Sequence, residues 1–116
     1  MRSETIEKRI QGIKQGLLQI GDMRPGSLSK QYNVCGVAGC RCKDSKSPKR
    51  HGPYYQLSYV HRGKSTTRFI RAKEVAEIKS QVANYKRFRK LMEDWVRLAL
   101  ESAEIRLAQS RLVASK

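Results

Sequence analysis

Apolar residues along positions 3 to 20 fall at Ile6, Ile10, Ile13, Leu17 and Ile20, alternately four and three apart. That spacing keeps one stripe on one side of an α-helix. Ser3 is placed to act as its N-cap, and Glu4 and Glu7 suit the positive end of the helix dipole. Gly12 and Gly16 each weaken such a helix by up to about 1 kcal/mol relative to alanine, so it should depend on docking. The pattern stops near Gly21, Pro25 and Gly26, residues that end helices.

Residues 27 to 53 read as a loop, with room for a short extended piece at "SLSKQY". The stretch "KDSKSPKRHGP" is polar, basic and interrupted by Pro48 and Pro53, so burial cannot order it. Aromatic and β-branched residues then run from Tyr54 to Val60, a turn falls at His61 to Lys64 around Gly63, and a second run spans Ser65 to Arg71. This is a β-hairpin pattern, with Tyr55, Leu57 and Tyr59 on the core face. If Val60 pairs with Ser65, then Thr66, Arg68 and Ile70 join that face. A three-residue turn would instead bring Thr67 and Phe69 there.

From Ala72 to the end there is neither proline nor glycine, which predicts one helix of about 35 to 40 residues, or two with an unmarked break. Val75, Ile78, Val82 and Tyr85 form a heptad-like stripe that steps to Phe88, Leu91, Met92, Trp95, Leu98 and Ala99 and continues weakly to Ile105 and Leu112. The far half must find the first helix, a second copy in coiled-coil fashion, or both, because an exposed stripe with Trp95 would aggregate. The expected fold is α+β: an N-terminal helix (1–22), a basic Cys/His loop with a β-hairpin or small antiparallel sheet (23–71), and a long C-terminal helix (72–116), one structural domain overall. A homodimer through the helices is expected.

Charge sharpens the picture. The 116 residues hold 25 Lys and Arg against 10 Asp and Glu, a formal +15. Residues 23 to 73 contain 12 of those cations and one acid, Asp44, so 12 − 1 = +11 of the excess sits in the middle of the chain. Such a bias attracts polyanions, nucleic acid first and anionic membrane second. No apolar run approaches a membrane span and the N-terminus has no signal-peptide core, so a cytoplasmic protein is expected. In that compartment three cysteines are not a disulfide framework.

Those cysteines lie as Cys35-x4-Cys40-x-Cys42-x8-His51. Three thiolates and an imidazole are the ligand set of a closed structural zinc site, one ion per chain, and zinc would pin a segment that cannot form a core. The alternatives are another metal or a redox switch, and cysteines that merely act as small hydrophobes. A catalytic thiol is disfavoured, since His61 falls in the turn and no acid stands nearby to orient either histidine.

The run Gly26-Ser27-Leu28, Tyr32, Cys35-Gly36, Cys40, Cys42, His51-Gly52-Pro53-Tyr54-Tyr55 and the Gly63-Lys64 turn, followed by a long helix, resembles a small prokaryotic domain family of unknown function. That resemblance covers about residues 23 to 95 and supports Cys35, Cys40, Cys42 and His51 as one ligand set. It carries no activity with it. The hairpin and following helix also resemble the arm-type DNA-binding domain of tyrosine integrases, whose three-stranded sheet enters the major groove. Here a clear first strand is lacking and the cysteine segment has no counterpart.

A β-ribbon fits the major groove, with polar side chains on its outer face reaching base edges and flanking cations on phosphates. Gln56, Ser58 and Thr67 (or Thr66) are the readout candidates. Arg62, Lys64, Arg68 and Arg71 are the clamps, with Lys46, Lys49 and Arg50 extending the footprint. Tyr54, Tyr55 and Tyr59 suit core packing better than base stacking. On the long helix, Lys79, Lys86, Arg87, Arg89 and Lys90 lie along phosphate or are simply solvated. The expectation is a zinc-stabilised nucleic-acid-binding protein, DNA ahead of RNA, accessory to a mobile-element or regulatory system. The alternative is a structural or protein-interaction module dimerising through its helices. No paired carboxylates, phosphate loop or metal-hydrolase motif appears, so no enzyme and no small-molecule substrate are expected.

Overall fold

The computed structural model describes residues 2–33 and 51–114. Its elements are α1 (Ser3–Leu18), β1 (Ser27–Asn33), β2 (His51–His61), β3 (Lys64–Ile70), one turn of 3-10 helix (Ala72–Glu74) and α2 (Val75–Ala114). The fold is α+β, and its strands form one antiparallel sheet in the order β1-β2-β3. Two compact units result, residues 23–83 and residues 1–22 with 84–116. The 40 residues of α2 form one uninterrupted helix that contributes to both.

In the first unit the register follows from a tight turn. His61 pairs with Lys64 and Val60 with Ser65, leaving Arg62 and Gly63 as a two-residue loop. Both have positive φ, 52° and 77°, the backbone of a type I′ turn whose twist matches that of the strands it joins. The two-residue alternative therefore holds, and Thr66, Arg68 and Ile70 share a face with Tyr59, Leu57 and Tyr55. On the other side of β2, Leu28 pairs with Leu57 and Lys30 with Tyr55. The extended piece at "SLSKQY" is thus a full strand, and β2 of the hairpin is the central strand of a three-stranded sheet.

Leu57, Ile70, Ile78 and Val82 form the buried centre of this unit, with Leu28, Tyr55, Tyr59 and Val75 packed around them. Each such aliphatic side chain contributes about 1.5–3 kcal/mol by leaving water. The 3-10 turn leads the chain from β3 into α2: the Arg71 amide donates to the Glu74 carboxylate at 3.0 Å, and the Glu74 amide to the Arg71 carbonyl at 2.9 Å. Before β1, the Arg24 amide donates to the Gln81 carbonyl at 3.2 Å. Gly26, at φ +143°, comes so close to the sheet that a Cβ would stand 2.7 Å from Leu57 Cδ1 and 3.1 Å from the Ser58 carbonyl oxygen.

In the second unit the α1 stripe is seated as its periodicity predicts. Ile6 and Ile13 are buried against Leu98 of α2, with Ile10, Leu17, Leu91, Trp95 and Ile105 around them. Trp95, Leu98 and Ile105, which lacked an evident partner in the sequence, therefore have one in α1. Lys14 Nζ lies 5.3 Å from the centre of the Trp95 ring, a cation–π distance. The Asn84 side-chain amide donates to the Asp22 carbonyl at 2.8 Å, tying the end of the α1 connection to α2. Ser3 is not the N-cap: Arg2 holds that position, without a side-chain cap hydrogen bond, and Ser3 is the first helical residue.

Candidate nucleic-acid interface

Strand alternation divides the sheet into two chemically distinct faces. Ser29, Gln56 and Phe69 form one cross-strand row of the face opposite the Leu57 core, and Ser27, Ser58 and Thr67 the next. The rows hold themselves in place: the Ser29 hydroxyl donates to the Gln56 carbonyl at 3.4 Å, and the Ser58 and Thr67 hydroxyls are 3.5 Å apart. At one end the Tyr54 and Phe69 rings meet at 6.2 Å between centroids, inclined by 52°, an edge-tilted aromatic pair. Phe69 is nonetheless 64% exposed and Val60 61%. The face is thus uncharged, rich in hydroxyl and amide groups, and carries an accessible ring.

Cations surround this face rather than populate it. Arg62 and Lys64 are exposed at the β2–β3 turn, and Arg71 is exposed where the chain leaves β3. Gln56, Ser58 and Thr67 are therefore brought together, with Arg62 and Lys64 beyond one end of their rows. Arg68 lies on the other face, where it hydrogen-bonds the Tyr59 hydroxyl and holds its pKa below the ordinary 10.0, aided by the charge of Arg24. Arg24, Pro25, Tyr59 and His61 line a small cleft there. Arg24 belongs to the basic surface of this unit and was absent from the sequence candidates. Its one local signal is its place before Pro25-Gly26, the segment that the Leu57 contact draws onto the sheet.

Lys46, Lys49 and Arg50 and the ligand candidates Cys35, Cys40 and Cys42 lie outside the described residues, as does the side chain of His51. Among the described residues no group of three or more His, Cys, Asp or Glu could hold a metal ion. No helix of the described residues is long and apolar enough to cross a membrane.

With this geometry in view, the family of a domain of unknown function, DUF6788, matches residues 3–80. The chain belongs to that family. The DUF6788 match takes in α1, all three strands and the first turns of α2, so it begins earlier than the resemblance over residues 23 to 95 implied. Membership in a small uncharacterised family agrees with that resemblance. No curated protein and no solved structure matches this DUF6788 chain.

Proposed function

We propose that this DUF6788 protein binds nucleic acid, DNA in preference to RNA, through the uncharged face of its sheet, with cations at the rim engaging phosphates. The observation that carries the reading is the alignment of Gln56, Ser58 and Thr67 in adjacent rows beside the exposed Arg62 and Lys64. Three strands at about 4.8 Å spacing span about 10 Å between the outer axes, against a major groove about 12 Å wide. Amide and hydroxyl groups hydrogen-bond base edges, and an exposed ring such as Phe69 contacts the thymine methyl group. The formal +15 supplies the sequence-independent attraction.

On this reading Cys35, Cys40, Cys42 and His51 hold one zinc ion, which fixes the segment carrying Lys46, Lys49 and Arg50 to the sheet whose strands β1 and β2 it joins. The donor set suits zinc: thiolate and imidazole are its preferred structural ligands, and the surrounding lysines and arginines favour the thiolate form. The accessory role in a mobile-element or regulatory system belongs to the same proposal.

Fluorescence anisotropy with a labelled duplex tests the binding. Affinity should fall steeply with salt, with a log–log slope of about −0.9 per phosphate contacted. Arg62→Ala with Lys64→Ala should reduce that slope by about 2, whereas Gln56→Ala or Thr67→Val should change preference among duplexes and leave the slope alone. An affinity that ignores salt would remove the reading. It would leave a second one, a protein-interaction module, which is supported by the apolar side chains Met92, Val96 and Leu100 that α2 exposes.

A further inference from the structure

Past Tyr85, α2 has two apolar faces. One meets α1 through Leu91, Trp95, Leu98 and Ile105. The other carries Phe88, Met92, Val96 and Leu100, four residues apart, and lines an open groove that no described residue of α1 enters. Val96 is 65% and Leu100 61% exposed. At 100° per residue, Tyr85 and Leu107 fall on this same side, so the stripe runs for about 33 Å at 1.5 Å per residue. A stripe of that length and exposure marks an interaction surface.

The charges beside it are segregated along the helix. On the flank about 100° from Tyr85, Lys86 comes first, Glu93 and Arg97 bracket the middle, and Glu104 comes last. Parallel alignment about a two-fold axis sets this flank against the opposite flank of the second copy and leaves Lys86 and Glu104 about 27 Å apart in height, so they do not meet. Antiparallel alignment about a two-fold axis at Val96 instead brings this same flank of both copies together. It stacks Val96 on Val96, Met92 on Leu100 and Tyr85 on Leu107, while Lys86 comes beside Glu104, and Glu93 beside Arg97, of the second copy. Both charge pairings are self-complementary, as a two-fold interface requires.

We infer that the exposed Met92–Val96–Leu100 face of α2 binds the same face of a second copy in antiparallel orientation, with Lys86 and Glu104 selecting that polarity. This rests on the second reading above and deepens it by fixing the face and the polarity of the pairing. The ion pairs within the helix do not compete strongly. Arg89–Glu93 at 3.7 Å is an exposed pair, and in Lys90–Asp94 at 3.3 Å and Arg97–Asp94 at 3.7 Å the cation is exposed beside a half-buried carboxylate, so each cation is free to exchange partners at the surface.

The test is sedimentation of the full chain between about 5 and 100 µM at physiological salt, with the two charge reversals separately and mixed. Lys86→Glu and Glu104→Lys should each weaken dimerisation about tenfold, because each turns two attractive contacts per dimer into repulsive ones. An equimolar mixture should recover dimers near the wild-type affinity, since one copy then offers two acids and the other two bases. Residues 86 and 104 are about 27 Å apart along one helix, so recovery on mixing reads contacts between chains only. If either reversal loses helical circular dichroism, Lys86→Gln and Glu104→Gln replace them, with each expected to weaken the dimer at least twofold. A wild-type monomer at 100 µM, single variants that dimerise normally, or a mixture without recovery overturns the inference. A monomer that still binds duplex with a steep salt slope overturns it while leaving the role of the sheet intact.

Discussion

Gly26→Ala should loosen the sheet by strain and overpacking together. Its φ of +143° belongs to a region that side-chain-bearing residues enter at a cost of about 1–3 kcal/mol. The added Cβ would also stand 2.7 Å from Leu57 Cδ1 and 3.1 Å from the Ser58 carbonyl oxygen. Leu57 is fully buried and cannot swing aside, and the carbonyl is part of β2, so overpacking adds about 1–3 kcal/mol. The sum is about 2–5 kcal/mol. Hydrogen exchange of β2 amides reads this locally, and protection should fall by about 30-fold at the lower bound and about 4,000-fold at the upper. Gly12→Ala is the control. Nothing lies within 4 Å of its Cβ position, so α1 should gain about 0.5–1 kcal/mol from the better helix former. Protection of β2 within threefold of wild type in Gly26→Ala would refute the argument from close approach.

Leu98 is 2% exposed beneath α1. Leu98→Ala should therefore cost about 2–5 kcal/mol in urea unfolding followed by Trp95 fluorescence, and a loss below about 1 kcal/mol would mean that α1 is seated elsewhere. Tyr59 should ionise below the ordinary tyrosine value of 10.0, because the Arg68 guanidinium favours its phenolate. A depressed acidic pKa stabilises the fold above the unfolded value near 10, and that stabilisation is lost as pH falls through the folded value, so it is absent at pH 7. Absorbance titration at alkaline pH should show the early tyrosine vanish in Arg68→Gln, and an unchanged curve would exclude the contact. Protein purified without chelator should carry one zinc per chain, and Cys40→Ser or His51→Ala should lose it. Mass spectrometry that finds metal-free protein would leave the donor set as ordinary side chains.

Both helices were legible in the sequence because each carries its own period, and Ile6 to Leu17 needed only a surface to meet. The exposed stripe was harder to read. Phe88, Met92 and Leu98 look like one continuing seam until α1 is seen to take Leu98 and leave Met92 in solvent. A single helix that changes partners along its length defeats one averaged period. β1 was visible only as an extended piece, since Ser29, Lys30 and Gln31 provide little apolar signal and Leu28 alone reaches the buried centre. The composition of the candidate face depended on register, and the turn gave a mixed signal. Glycine suits a two-residue loop, whereas Arg62 at φ 52° occupies a conformation that arginine seldom adopts. Arg68 consequently could not be assigned to either side before the pairing was known.

Among the described residues, β1 and β3 each leave one hydrogen-bonding edge open. Open edges invite a foreign strand to dock, the first step toward fibrous assembly. Here Lys30 stands on one border, and Lys64 and Arg68 on the other. An approaching strand must desolvate those ammonium and guanidinium groups before it gains a ladder, and a second sheet of the same kind would meet like charge. The same side chains that enrich this small sheet in cations therefore also act as its gatekeepers against stacking edge to edge.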